Sequence, residues 1–126
     1  MDYGLIKLLS DKEKEIKSQI IEEIEGFEEE RDGVFLENVV INGDSDPIKI
    51  VCAHYIDELE NGAEEFLMEI KFKCCYSKTI MQPLKVISNE VSEYTATVEA
   101  GFTFNFDLWN EECWLSSSGL GFNDFN

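Results

Sequence analysis

The feature that most constrains this chain is a run of strict two-residue alternation near its C-terminus. Tyr94, Ala96, Val98, Ala100, Phe102, Phe104, Phe106 and Leu108 alternate with Glu93, Thr95, Thr97, Glu99, Gly101, Thr103, Asn105 and Asp107. A helix with this pattern would spread apolar side chains around its circumference, whereas a strand gathers them on one face. The run predicts a strand roughly 50 Å long at ~3.3 Å per residue. That is long for a globular strand, so Gly101 is expected to bend or bulge it around a core. A sheet with one apolar face needs neighbouring strands and a cover.

The remaining pattern supplies both. Phe66, Met68, Ile70, Phe72, Cys74 and Tyr76 form one face of a second strand, opposite Glu69, Lys71, Lys73 and Ser77. Residues 34–41 and 48–57 read as further strands, the second apolar on both faces. Between them lies the turn-rich Asn42-Gly43-Asp44-Ser45-Asp46-Pro47, and Asn61-Gly62 marks the next turn. Residues 80–87 form a weaker strand in which Pro83 points to an edge or a bulge, followed by a turn at 88–90. Cys113, Trp114 and Leu115 are expected to pair beside the long strand.

The cover is an N-terminal helix. Ile16, Ile20, Ile21, Ile24 and Phe27 recur at helical spacing with charges between them. Ser10-Asp11-Lys12-Glu13 fits a capping box. Glu28, Glu29 and Glu30 oppose the helix dipole at the other end, and Asp32-Gly33 is a stop. The expected fold is α+β: an N-terminal amphipathic helix packed on one mostly antiparallel, curved sheet of five or six strands. Residues 1–115 are read as a single domain. The small, polar stretch 116–126 is read as a flexible C-terminal tail.

Charge narrows the function classes. Among 126 residues, 27 are Asp or Glu and 10 are Lys or Arg, a formal charge of −17 at pH 7. Lys85 is the last base; Glu90, Glu93, Glu99, Asp107, Glu111, Glu112 and Asp124 follow it. Direct nucleic-acid binding depends on Lys and Arg displacing counterions, so it is not expected. Anionic membrane surfaces are disfavoured in the same way. A basic protein, by contrast, would be steered in. No apolar run reaches membrane-spanning length and no leader pattern opens the chain, so a cytoplasmic protein is expected.

Catalytic groups are scarce. His54 is the sole histidine and reads as a sheet histidine; a dyad with Cys74 or Cys75 would need the second and third strands to bring them together. Cys52, Cys74, Cys75 and Cys113 sit in apolar surroundings without metal-ligand spacing and read as free thiols. The acidic turn at 42–46 lacks the remaining ligands of a calcium loop. Glu22-Glu23, Glu28-Glu29-Glu30 and Glu64-Glu65 read as solvated faces. Phe102, Phe104 and Phe106 lack the accompanying Lys or Arg of a base-stacking platform, so core packing is expected. No cofactor or metal site is expected, and the chain is read as a non-enzyme.

What remains is a docking surface of acids and aromatics. The candidate residues are Glu93, Glu99, Asp107, Trp109, Glu111, Glu112 and Trp114. The alternative surface is the polar side of the helix, with Glu22, Glu25, Glu28 and Glu29. The expected function is an acidic binding protein that inhibits a basic partner, such as a nuclease or toxin. That is the physical character of immunity proteins and of phage anti-defence inhibitors. The alternative is an assembly module that homo-oligomerises or docks on a larger protein.

Overall fold

The computed structural model describes residues 8–43, 47–60, 62–80, 90–107 and 109–125. Its main helix, α1, spans Glu13–Glu25. Among the described residues six strands follow: β1 Glu29–Arg31, β2 Val34–Asn42, β3 Lys49–Glu58, β4 Glu64–Ile80, β5 Glu90–Asp107 and β6 Glu112–Ser118. A 3-10 turn at Phe122–Asp124 comes last. The architecture is α+β in character and dominated by one curled antiparallel sheet. The expected weak strand at 80–87 and the turns at 44–46 and 88–90 fall largely outside the described residues; Ile80 is the last residue of β4.

The long alternating run becomes β5, and the two clear strands form the spine of the sheet. β4 and β5 pair without a register shift from Glu64↔Phe106 to Ile80↔Glu90. The other edge of β4 is shared end to end. β2 pairs with its C-terminal half, from Val34↔Ile80 to Asn42↔Lys73. β3 pairs with its N-terminal half, from Lys49↔Lys71 to Glu58↔Glu64. β6 covers only the far end of β5, from Phe102↔Ser118 to Asp107↔Glu112.

The bends lie elsewhere than expected. Pairing with β4 runs straight through Gly101, and the register shifts fall in β2, in β3 and in the β5–β6 pairing. Gly101 instead serves a close approach. Its carbonyl accepts the Gly119 amide at 2.7 Å, and a Cβ there would sit 3.2 Å from Leu67 Cδ1. A glycine in a strand is as consistent with tight packing as with a bulge.

Alternation has sorted the β5 side chains. Val98, Phe102, Phe104 and Phe106 are buried with Phe66, Met68, Ile70 and Phe72 of β4. Each such large apolar side chain contributes roughly 1.5–3 kcal/mol of transfer free energy. Ile16, Ile20 and Ile24 of α1 belong to the same apolar cluster. Gln19 of α1 extends the outer edge of β6: its amide accepts the Leu115 N–H at 2.8 Å and donates to the Cys113 carbonyl at 3.3 Å. Glu25 accepts the Ile41 amide of β2 at 3.1 Å.

Both helix ends depart from the sequence reading. The residue that precedes α1 is Lys12, not Ser10, and its side chain makes no cap bond; Ser10 donates to Asp11. Residues 8–11 are already helical, because burial of Leu8 draws the chain into a turn ahead of Ser10. At the other end, the helix stops at Glu25 with Gly26 as its C-cap, and residues 29–31 become β1. Asp32 and Gly33, at φ 53° and 78°, make the left-handed two-residue turn that favours Asp-Gly in hairpins.

Residues 116–125, within the segment read as a flexible tail, are built into the structure. Residues 116–118 finish β6. Phe125 is fully buried, stacks on Phe27 at 5.1 Å and meets Tyr76 edge-on at 5.3 Å. Tyr76 donates its hydroxyl to the Phe125 carbonyl. Composition registered the small polar residues and underweighted one aromatic anchor.

Candidate functional site: the acidic end of the sheet

Antiparallel pairing brings two hairpins to the same end of the molecule. The first joins β3 to β4 and carries Asp57, Glu58, Glu60, Glu64 and Glu65. The second joins β5 to β6 and carries Asp107, Glu111 and Glu112. Neither segment, 57–65 or 107–112, contains a Lys, Arg or His. The register sets like charges directly opposite one another three times: Glu58↔Glu64, Asp57↔Glu65 and Asp107↔Glu112. Directly opposed like charges destabilise a sheet, so this end is held together by the rest of the fold against local repulsion.

Asp107 organises the described residues of the β5–β6 turn. The Asp107 carboxylate accepts the Asn110 side-chain amide at 2.7 Å and the Trp109 and Asn110 backbone amides at 3.0 and 3.2 Å. These bonds, the Asn110 side chain first, hold its carboxyl below the usual aspartate range. Glu111 takes a left-handed φ of 55° and closes the turn. The turn projects Trp109, which is 92 % exposed, and Trp114 is 37 % exposed beside it. Cross-strand partners share a face, so Trp114, paired with Asn105, lies on the outer face with Asp107 and Glu112.

Five of the seven residues singled out from sequence therefore meet: Asp107, Trp109, Glu111, Glu112 and Trp114. Glu93 does not. It lies fourteen residues along β5 from Asp107, roughly 45 Å away at ~3.3 Å per residue. Glu99 occupies the middle of the outer face, 3.8 Å from Lys71 Nζ. There it flanks, with Glu69, a groove of about 290 Å3 floored by Leu67, Val51 and Gly101. The alternative helix surface is partly used internally. Glu25 accepts from Ile41, and Glu29, in β1, accepts the Phe122 amide at 2.7 Å.

The carboxylates of the β3–β4 hairpin are absent from the sequence-derived set. Glu64-Glu65 alone looked like a solvated face. The signal that could have found them is Asn61-Gly62 in the sequence, a hairpin pair that lies between residues the register sets opposite each other, Asp57↔Glu65 and Glu58↔Glu64.

The residues weighed for catalysis are dispersed. His54 pairs with Leu67, whereas Cys74 and Cys75 pair with Ile41 and Val40 at the other half of β4. The Cys52 thiol donates to Glu69 at 3.0 Å, and that carboxylate raises its pKa. Burial pushes the Cys74 and Cys113 thiols up to about 11. Among the described residues, no group of three His, Cys, Asp or Glu is placed to hold a metal ion. No helix among them is long and apolar enough to cross a membrane.

Comparison with protein-family models, curated protein sequences and solved structures finds no match for this chain.

Proposed function

We propose that this chain is a non-enzymatic acidic binding protein whose acidic end docks on a basic protein partner. It would occupy a surface on which that partner binds phosphate, as an inhibitor of a nuclease or similar toxin must. The observation that carries this reading is three directly opposed like-charge pairs at the end of the sheet that also carries an exposed tryptophan. Local rules are broken in folded proteins mainly where function compensates. Here a cationic partner would relieve the repulsion, and Trp109 would supply the apolar anchor typical of an interface hot spot. The same reading takes α1 as the cover of the apolar sheet face, which leaves the outer face and the acidic end for contact. It also places the protein in the cytoplasm, where such a partner would act.

The test is capture of a partner by wild-type protein and by Glu111→Lys/Glu112→Lys. The double reversal is expected to abolish capture while far-UV circular dichroism stays unchanged. Equal capture by both proteins would overturn the reading.

A further inference from the structure

β3 uses one edge to pair with β4, and among the described residues no strand pairs with its other edge. That edge is unusual in composition. Val51, Tyr55 and Ile56 are each more than 40 % exposed, although soluble proteins usually blunt an open edge with charge. The strand is also palindromic in character about Ala53. Lys49 and Asp57 are equidistant from it with opposite charge. Ile50 mirrors Ile56, Val51 mirrors Tyr55, and Cys52 mirrors His54.

The pairing with β4 shows that this symmetry extends to the faces. Lys49, Cys52, His54 and Asp57 pair with Lys71, Glu69, Leu67 and Glu65, the outer-face residues of β4. Val51 and Ile56 are the extra residues at the two register shifts. The outer-face set is therefore symmetric about Ala53 as well. A two-fold axis midway between the Ala53 residues of two paired copies, perpendicular to the sheet, would keep outer residues on the outer face of both copies. Antiparallel pairing in any register of opposite parity would set outer residues against inner ones.

We infer that β3 is a self-complementary edge that pairs antiparallel with β3 of a second copy, joining two sheets into one. Lys49 of each copy lies opposite Asp57 of the other, Ile50 opposite Ile56, Val51 opposite Tyr55, and Cys52 opposite His54. This is an isologous contact, which closes as a dimer and does not propagate. The paired stretch 49–57 is longer than the commonest strand. Two copies of charge −17 repel at long range, so the dimer is favoured by salt that screens this repulsion. Docking of a basic partner has the opposite salt dependence, which separates this inference from the proposed function.

Sedimentation velocity of the full chain at about 50 and 300 mM NaCl is the first test, the screening length differing by roughly a factor of two. A dimer whose population grows with salt is expected; a monomer at high micromolar concentration in both salts would overturn the pairing. Lys49→Asp and Asp57→Lys are each expected to weaken the dimer by about tenfold, because like charges then oppose one another twice per interface. The double exchange Lys49→Asp/Asp57→Lys is expected to restore it, and failure to restore it would overturn the register. The residues exchanged are exposed, and circular dichroism checks that each variant folds. His54→Cys gives an independent reading, since directly opposed Cα atoms lie within disulfide range. Oxidation of this variant is expected to link Cys52 of one copy to residue 54 of the other. Linkage of wild type through Cys52 alone at the same rate would place Cys52 opposite itself and contradict the register.

Discussion

At the residue scale, Asp107 and Trp109 divide the work of one turn. Asp107 fixes the backbone by accepting three N–H groups, and Trp109 is left projecting. Trp109→Ala is therefore expected to change stability by less than about 0.5 kcal/mol, as exposed substitutions do. It should weaken partner binding by about 2 kcal/mol or more, roughly thirtyfold. Chemical denaturation and a binding titration read the two effects separately. Asp107 also has a pH signature. Its folded-state pKa is lowered, so its stabilisation is present above the ordinary aspartate pKa and is lost as pH falls through the folded value. The stability gap between wild type and Asp107→Ala should close as pH drops below about 3.9. A gap that persisted unchanged to lower pH would contradict the hydrogen-bonded carboxylate. The aromatic and acidic residues of this turn were legible from sequence because strand alternation visibly decays there. Their partners across the β3–β4 hairpin were missed because Glu64-Glu65 was read as a local pair, without following the Asn61-Gly62 signal back to Asp57 and Glu58.

At the element scale, alternation carried the fold furthest. β4 and β5 follow it closely, since a sheet with one buried face penalises any one-residue slip. Capping chemistry carried less. A Ser-x-x-Glu match is worth about 1 kcal/mol, and the chain is already helical two residues ahead of Ser10, where Leu8 is buried. The C-terminal segment makes the same point. Phe125 lies among residues that composition marks as a tail, yet it stacks on Phe27 and fills the core beside Tyr76. Phe125→Ala is expected to cost about 3–5 kcal/mol, the range for a buried phenylalanine, measured by urea denaturation. A cost under about 0.5 kcal/mol would show this segment to be dispensable. The acidic hairpins predict a trade-off of the opposite sign. Glu112→Lys replaces a like-charge pair with Asp107 by an opposite one. It should stabilise the fold by a few tenths of a kcal/mol to about 1 kcal/mol while weakening partner binding.

At the scale of the whole molecule, the charge of −17 is divided between tasks that the sequence order conceals. The acid-only stretch after Lys85 appears continuous in sequence, but the sheet disperses it. Glu93 and Asp107 lie toward opposite ends of β5, and Glu99 is beside Lys71. Conversely, residues 57–65 and 107–112 are distant in sequence and adjacent in space. Self-repulsion among so many carboxylates should make stability rise with ionic strength. An increase of a few degrees in Tm between about 50 and 300 mM NaCl is expected. The measurement that tests the central claim most directly is co-precipitation from cell lysate at those two salt concentrations, with wild type beside Trp109→Ala/Glu112→Lys. The account predicts a basic protein captured by wild type at low salt, weakened at high salt and lost with the variant. A partner retained equally by both proteins, or at both salt concentrations, would contradict docking through the acidic end.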